Sequence, residues 1–89
     1  MIRRAVTYSG RVQGVFFRAT ARRCAVAHPV TGWVRNEPDG TVRLEIQGEP
    51  AAVETALADI RAAKSANIDH EGAHEIPSVQ GESGFEISR

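Results

Sequence analysis

The sequence is poor in cysteine and has no long apolar run. Cys24 is the only cysteine, which excludes an internal disulfide and any metal site built from several cysteines. No stretch approaches the roughly 18 apolar residues that indicate a membrane-spanning helix. The basic start at Arg3 and Arg4 is not followed by the continuous apolar segment of a secretory signal. We therefore expect a protein of a reducing compartment, the cytoplasm, with no membrane segment.

Acidic residues are absent from residues 1–35, which contain seven arginines. Residues 36–89 hold all eleven acidic residues and only four basic ones. The formal net charge is zero, but such an uneven distribution indicates that the first part of the chain attracts an anionic partner. The alternative is that the two halves fold together and neutralise each other's charges.

Strongly apolar residues are also few. Ile, Leu, Val and Phe make up 20 of the 89 residues, just above the roughly 20% below which disorder becomes the better prediction. A chain this short cannot build two independent cores. The sequence therefore predicts a single domain over residues 1–89 with one modest core.

The apolar periodicity changes along the chain between that of strands and that of helices. It predicts strands at 2–9, 30–36, 41–47 and 84–88, helices from about Arg18 to Pro29 and after Pro50, and an irregular strand region at 67–79. The order is therefore β-α-β-β-α-β with a possible extra edge strand, which is the order of the ferredoxin-like fold. We expect an α+β sandwich with two helices on one face of a mainly antiparallel, four- to five-stranded sheet. In that arrangement the first and third strands are central and the second lies at an edge.

Four residues are assigned packing roles. The helical stripe after Phe17 predicts that Cys24 is a small buried hydrophobe and that His28 shares the same face. Trp33 and Phe85 are expected in the core.

The segment from Gly10 to Arg18 joins the first strand to the first helix and contains two glycines. Such a turn can direct several backbone N–H groups at one point, where the start of the helix adds partial positive charge. Arg18 supplies a planar guanidinium in the first helical turn. These features favour a phosphate or carboxylate site, although glycines in this position can also serve only to make the turn.

Asn36 ends a strand that is predicted to lie beside this turn. A carboxamide both donates and accepts hydrogen bonds, so it can hold a water molecule against an electrophile. The alternative is that Asn36 only begins the hairpin turn through Pro38-Asp-Gly40.

The segment from His70 to His74 has the H-E-x-x-H pattern of zinc peptidases. That chemistry needs a helix, whereas Gly72 interrupts this segment and Pro77 follows it. In a strand the two histidines would lie about 13 Å apart, too far to share one ion. We therefore expect no metal site here.

Two motifs together resemble the signature pair of the acylphosphatase family. They are Gly10-x-Val-Gln-Gly-Val-Phe-Phe-Arg18 and Gly32-Trp-Val-x-Asn36-x-x-Asp-Gly40-x-Val42, and Gly84-Phe-Glu-Ile87 also resembles that family. The resemblance spans essentially the whole chain. It implies a ferredoxin-like fold and hydrolysis of the carboxyl–phosphate bond of acyl phosphates without a metal or cofactor.

The resemblance also implies residue roles. Arg18 matches the arginine that binds the phosphoryl group, and Asn36 matches the asparagine that orients the attacking water. The phosphate-binding loop corresponds to Val12, Gln13, Gly14, Val15, Phe16 and Phe17. The chain departs from the family at His28-Pro29, at Ala21 and in residues 61–65, none of which is a predicted site residue.

We therefore predict a cytoplasmic, monomeric acylphosphatase. It acts on small acyl phosphates and is inhibited competitively by inorganic phosphate or sulfate, with no membrane partner. An RNA-binding module shares the element order, but the sequence lacks the aromatic pattern of RNA-recognition strands, so a nucleic-acid partner is not expected. The other alternative is an inactive regulatory module like those appended to larger carbamoyl-transfer enzymes.

Overall fold

The computed structural model describes residues 1–89. The elements are β1 (Ile2–Gly10), α1 (Phe17–Val26), β2 (Val30–Asn36), β3 (Val42–Gly48), α2 (Pro50–Ala63), β4 (Ile68–Ile76) and β5 (Phe85–Ile87). The predicted β-α-β-β-α-β order is confirmed, with one further strand. α1 ends at Val26, so His28 lies beyond the helix and not on its apolar face as predicted. His28 instead places Nε2 2.7 Å from the Asp59 carboxylate of α2.

The strands form one sheet in the order β4-β1-β3-β2-β5. Every neighbouring pair is antiparallel except β2 and β5, which run parallel. β1 and β3 are central, as predicted. The prediction that β2 lies at the edge is wrong, because β5 adds to its outer side. Both helices pack on one face, which confirms the ferredoxin-like α+β sandwich.

Alternate residues of the strands point toward the helices and form the core. Val6 and Tyr8 of β1 face the same side as Val42, Leu44 and Ile46 of β3, and all are buried. Opposite them lie the apolar stripes of the helices: Phe17, Ala21 and Ala25 of α1, with Val53, Ala56, Leu57 and Ile60 of α2.

Phe85 is buried in the core, as predicted. Cys24 packs against the core and is only partly buried. Burial raises the pKa of the Cys24 thiol. Trp33 was expected in the core, but strand alternation turns it to the outer face of the sheet, since Val34 takes the inward position. There the Arg35 guanidinium carbon lies 4.7 Å from the centroid of the Trp33 ring.

Residues His70 to His74 lie within β4, as the strand prediction required. They pair with β1 in the register Ala5↔His74 and Ser9↔His70. The helical geometry on which the zinc-peptidase pattern depends is therefore not formed.

Residues 77–84 run from β4 at one edge of the sheet to β5 at the other and cover part of its outer face. Arg3, which is only 2% exposed, binds this crossover segment through Glu82, to which it donates a hydrogen bond at 2.9 Å. It also donates to Glu45 of β3 at 2.9 Å. Gln47 exchanges two hydrogen bonds with the backbone of Val79. Buried arginine pairs of this kind are costly to break on one side only, because the remaining charge loses its partner.

The Arg3–Glu82 pair predicts an acid-sensitive stability. Burial raises the pKa of Glu82, but the hydrogen bonds from Arg3 and Thr31 and the charge of Arg3 together outweigh it and hold that pKa below its ordinary value of 4.5. The stabilisation is therefore complete above about pH 4.5 and is lost as the pH falls through the lower pKa of the folded state. Glu82→Gln should lower the free energy of unfolding at pH 7 by about 1–3 kcal/mol, and the deficit should shrink at pH 3.

Denaturant unfolding at the two pH values measures this deficit. Glu75→Gln is the matched control, because Glu75 is exposed on β4 and belongs to none of the ion pairs. An equal deficit for Glu82→Gln at both pH values would contradict the role given to its charge.

Candidate active site

The segment between β1 and α1 forms a tight turn. Gly14 has φ of +74° and Phe16 has φ of +62°, so two residues close together adopt the left-handed conformation. Glycine at position 14 adopts it without strain, whereas an aromatic residue at position 16 adopts it at a cost. The side chains of Val12 and Phe17 are only 1% exposed and anchor the two ends of the turn in the core.

This turn leaves a row of backbone donors without protein acceptors. The N–H groups from Val12 to Ala19 donate no hydrogen bond within the protein, and the next one, that of Thr20, bonds to the Phe16 carbonyl. α1 begins without a side-chain cap and has no acidic residue in its first turn. Such a helix start attracts anions, because its free N–H groups and the helix dipole both carry positive charge.

Two contacts fix the backbone of the turn from outside. The N–H of Arg11 donates to the Asn67 carbonyl at 3.0 Å, and Lys64 Nζ donates to the Val15 carbonyl at 2.6 Å. A trans peptide holds its C=O and N–H on opposite sides, so the N–H of Phe16 points away from Lys64. Lys64 belongs to the stretch 61–65 in which this chain departs from the family pattern, and sequence reasoning did not predict its contact.

Arg18 and Asn36 meet at a pocket of about 350 Å³ at the end of this turn. Arg18 belongs to none of the ion pairs or side-chain hydrogen bonds of the protein. Asn36 Oδ1 is buried and accepts no hydrogen bond from the protein. A buried acceptor without a partner is uncommon in folded proteins, since it costs about 1–3 kcal/mol. The pocket is lined by Val12, Gly14, Phe16, Phe17, Arg18, Ala19, Asn36, Ile87 and Arg89.

The hairpin between β2 and β3 closes without the side chain of Asn36. The N–H of Glu37 donates to the Thr41 carbonyl at 2.8 Å, and Asp39 accepts from the N–H and hydroxyl of Thr41. Those hydrogen bonds also hold the pKa of Asp39 below its ordinary value. The carboxamide of Asn36 is therefore not needed for the turn and is available to the pocket.

Six of the eight predicted site residues line the pocket, and Gln13 and Val15 do not. Val15 packs partly buried against the core. The side chain of Gln13 reaches the β2–β3 hairpin, where Nε2 lies 2.8 Å from the Glu37 carbonyl and 2.8 Å from the Thr41 carbonyl. Sequence reasoning missed Ile87 and Arg89. They reach the pocket because β5 runs parallel to β2 with Val34 opposite Ile87, and no local pattern indicates that pairing.

The seven arginines of residues 1–35 do not share one role. Arg3, Arg4 and Arg35 form ion pairs with acidic residues of the second part of the chain, so charge neutralisation holds for them. Arg18 remains free at the pocket, whose lining contains no acidic side chain. Charge neutralisation therefore accounts for some of these arginines, and Arg18 provides an unpaired positive charge at the pocket.

No group of three or more His, Cys, Asp or Glu side chains is arranged to hold a metal ion. Neither helix has the length and apolar content needed to cross a membrane.

Comparison with known proteins decides the family. A sequence profile described as Acylphosphatase matches residues 4–87. The chain belongs to the acylphosphatase family. It is 44% identical over 82 residues to an acylphosphatase of Nitratidesulfovibrio vulgaris strain DP4, covering 91% of this chain and 82% of that protein. Members of this family hydrolyse acyl phosphates, and this chain is an acylphosphatase.

Solved structures agree with the acylphosphatase assignment. The crystal structure of an acylphosphatase from Bacillus subtilis superposes with a TM-score of 0.88 at 26% identity, covering 100% of both chains. The crystal structure of HypF from T. kodakarensis contains the same fold, with a TM-score of 0.86 at 27% identity. That match covers 100% of this chain and 12% of HypF. The fold thus occurs both in proteins of this size and within much larger ones.

Proposed function

We propose that this acylphosphatase binds the phosphoryl group of its substrate with the N–H groups of residues 12–19 and with Arg18, while Asn36 orients the attacking water. The observation that carries the proposal is the row of backbone donors from Val12 to Ala19 that have no acceptor in the protein. Residues 12, 14 and 16–19 of this turn, among them Arg18 with its unpaired guanidinium, form one wall of the pocket. Three phosphoryl oxygens, each accepting more than one hydrogen bond, match such a wall.

The chemistry needs little more than this arrangement. Water attacks phosphorus while the bond between phosphorus and the acyl oxygen breaks, and the products are a carboxylate and inorganic phosphate. A carboxylate is a weak base, so its departure requires no general acid. Most of the rate enhancement in phosphoryl transfer comes from positioning and from stabilising charge on the phosphoryl oxygens. Asn36 Oδ1 would accept a hydrogen bond from the water. This bond would direct a lone pair of the water oxygen toward phosphorus.

We propose that the reaction needs no metal ion. None of the side chains that line the pocket is a carboxylate, imidazole or thiolate, the kinds of side chain that bind catalytic metals. The charge that a metal would neutralise is instead met by Arg18 and the N–H groups. The single cysteine favours a reducing compartment, and we propose that the protein acts in the cytoplasm as a single-domain monomer.

An RNA-binding role would need exposed aromatic side chains on the central strands. The outer face of β1 and β3 presents Arg3, Ala5, Arg43, Glu45 and Gln47 instead. The crossover segment, fixed at Val79 and Glu82, covers part of it. A regulatory module without activity would keep the fold and bind phosphate without turnover.

Phosphate release from benzoyl phosphate tests the proposed function. Turnover should be unchanged in excess chelator, and inorganic phosphate and sulfate should inhibit competitively. Both anions should also raise the melting temperature, because they bind only the folded state; the gain is about 2.7 kcal/mol at roughly 100 times Kd. Loss of activity on chelation, restored by zinc, would contradict the metal-free mechanism. Thermal stabilisation by phosphate without turnover would identify a binding module.

A further inference from the structure

Gln13 lies in the phosphate-binding turn, but its side chain belongs to the other half of the site. Nε2 donates to the carbonyl of Glu37 and to the carbonyl of Thr41, each at 2.8 Å. Glu37 follows Asn36 directly in the chain, and Thr41 accepts the hydrogen bond that closes the same hairpin. One primary amide therefore links the turn before α1 to the end of β2 that carries Asn36.

The residue type suits this link. A carboxamide presents two N–H bonds about 120° apart in one plane, and two carbonyl oxygens use both of them. Glutamate has no donor, and an alanine or methionine cannot bond at all. The two bonds are partly buried, so water replaces them poorly when the amide is removed.

Each half of the site is held together independently of Gln13. The turn is anchored by the side chains of Val12 and Phe17 and by the contact between Lys64 and Val15. The hairpin is closed by the hydrogen bond from the Glu37 N–H to the Thr41 carbonyl and by the one from the Thr41 N–H to the Asp39 carboxylate. Loss of the Gln13 amide therefore leaves the phosphate donors and the hairpin intact and removes the connection between them.

We propose that Gln13 is a positioning residue that sets the carboxamide of Asn36 against the bound phosphoryl group. This inference rests on the proposed role of Asn36 in orienting water. A displacement of about 1 Å in a reacting geometry can cost about a hundredfold in rate. Gln13 therefore acts on the turnover step through Asn36, while phosphate binding depends on Arg18 and the backbone donors.

A double-mutant cycle tests this proposal. Gln13→Ala, Asn36→Ala and the double variant are compared for kcat, for KM and for phosphate affinity by calorimetry. Gln13→Ala should lower kcat by roughly ten- to a hundredfold and change phosphate affinity by less than about threefold. In the Asn36→Ala background the same change should cost little more, because residues that act through one another are not additive.

Gln47→Ala is the matched control, since Gln47 also bonds a backbone segment through its amide but lies on the outer face of the sheet. It should reduce the melting temperature and leave kcat unchanged. Gln13→Met keeps the length of the side chain without its donors, and it replaces Gln13→Ala if that variant does not fold.

Three outcomes overturn the proposal and identify what failed. Additive losses in the double variant would mean that Gln13 does not act through Asn36. A fall in phosphate affinity as large as the fall in kcat would mean that Gln13 shapes the phosphate-binding turn itself. Wild-type turnover in Asn36→Ala would remove the water-orienting role on which the inference rests, while competitive inhibition by phosphate would still support the phosphate site.

Discussion

Arg18→Gln is expected to weaken phosphate binding and turnover together. The guanidinium of Arg18 faces the pocket without any acidic partner, so its charge is available to the phosphoryl oxygens in both the ground state and the transition state. Arginines that neutralise a transferring phosphoryl group contribute about 10³–10⁵ in rate. We therefore expect turnover to fall by at least about a thousandfold, together with a loss of phosphate affinity measured by calorimetry.

Arg23→Gln is the matched control for this change. Arg23 is exposed on the same helix, near the end far from the pocket, and belongs to none of the ion pairs. It should retain the turnover and phosphate affinity of the wild type. Normal phosphate affinity in Arg18→Gln would show that the anion is bound elsewhere.

Asn36→Ala is expected to reduce turnover by about a hundredfold or more while leaving phosphate affinity nearly unchanged. The proposed hydrogen bond from water to Asn36 Oδ1 matters only when the nucleophile approaches phosphorus, so its loss affects kcat more than binding. The melting temperature should not fall, because Oδ1 is buried without a protein partner and its removal breaks no hydrogen bond within the fold.

Asn67→Ala serves as the control, because Asn67 contributes its backbone carbonyl to the base of the turn and no side-chain hydrogen bond. The test measures kcat, phosphate affinity and melting temperature for Asn36→Ala and for Asn67→Ala. If Asn36→Ala binds phosphate poorly but turns over bound substrate at the normal rate, the division of roles between Arg18 and Asn36 is wrong.

Local features that are unfavourable for stability coincide at this site. Phe16 has a left-handed backbone, α1 begins without a cap, and Asn36 Oδ1 has no partner. Outside the site, the Tyr8 hydroxyl is also buried without a partner and α2 also begins without a side-chain cap, while the apolar stripes of the strands and helices face one core. Such local costs persist where surrounding packing fixes them, here the burial of Val12 and Phe17, and they are typical of binding and catalytic sites.

The sequence by itself determined the order of the strands and helices. Their periodicity is local and strong, since alternate residues of a strand must share a face. The turn from Gly10 to Arg18 could also be predicted as an anion site, because a glycine-bearing turn before a helix start has a known local chemistry. Asn36 was predicted beside it because it ends a strand that was expected to neighbour the turn, and the resemblance implied its role.

Only the tertiary structure decided the rest. The parallel pairing of β5 with β2 moved β2 from the edge and brought Ile87 and Arg89 to the pocket. The same tertiary folding laid the crossover segment over Arg3 and turned the Gln13 amide to the hairpin. These contacts join residues that are between 24 and 79 positions apart in the chain. No local pattern encodes such contacts, because they depend on which strands become neighbours and on the direction in which each runs.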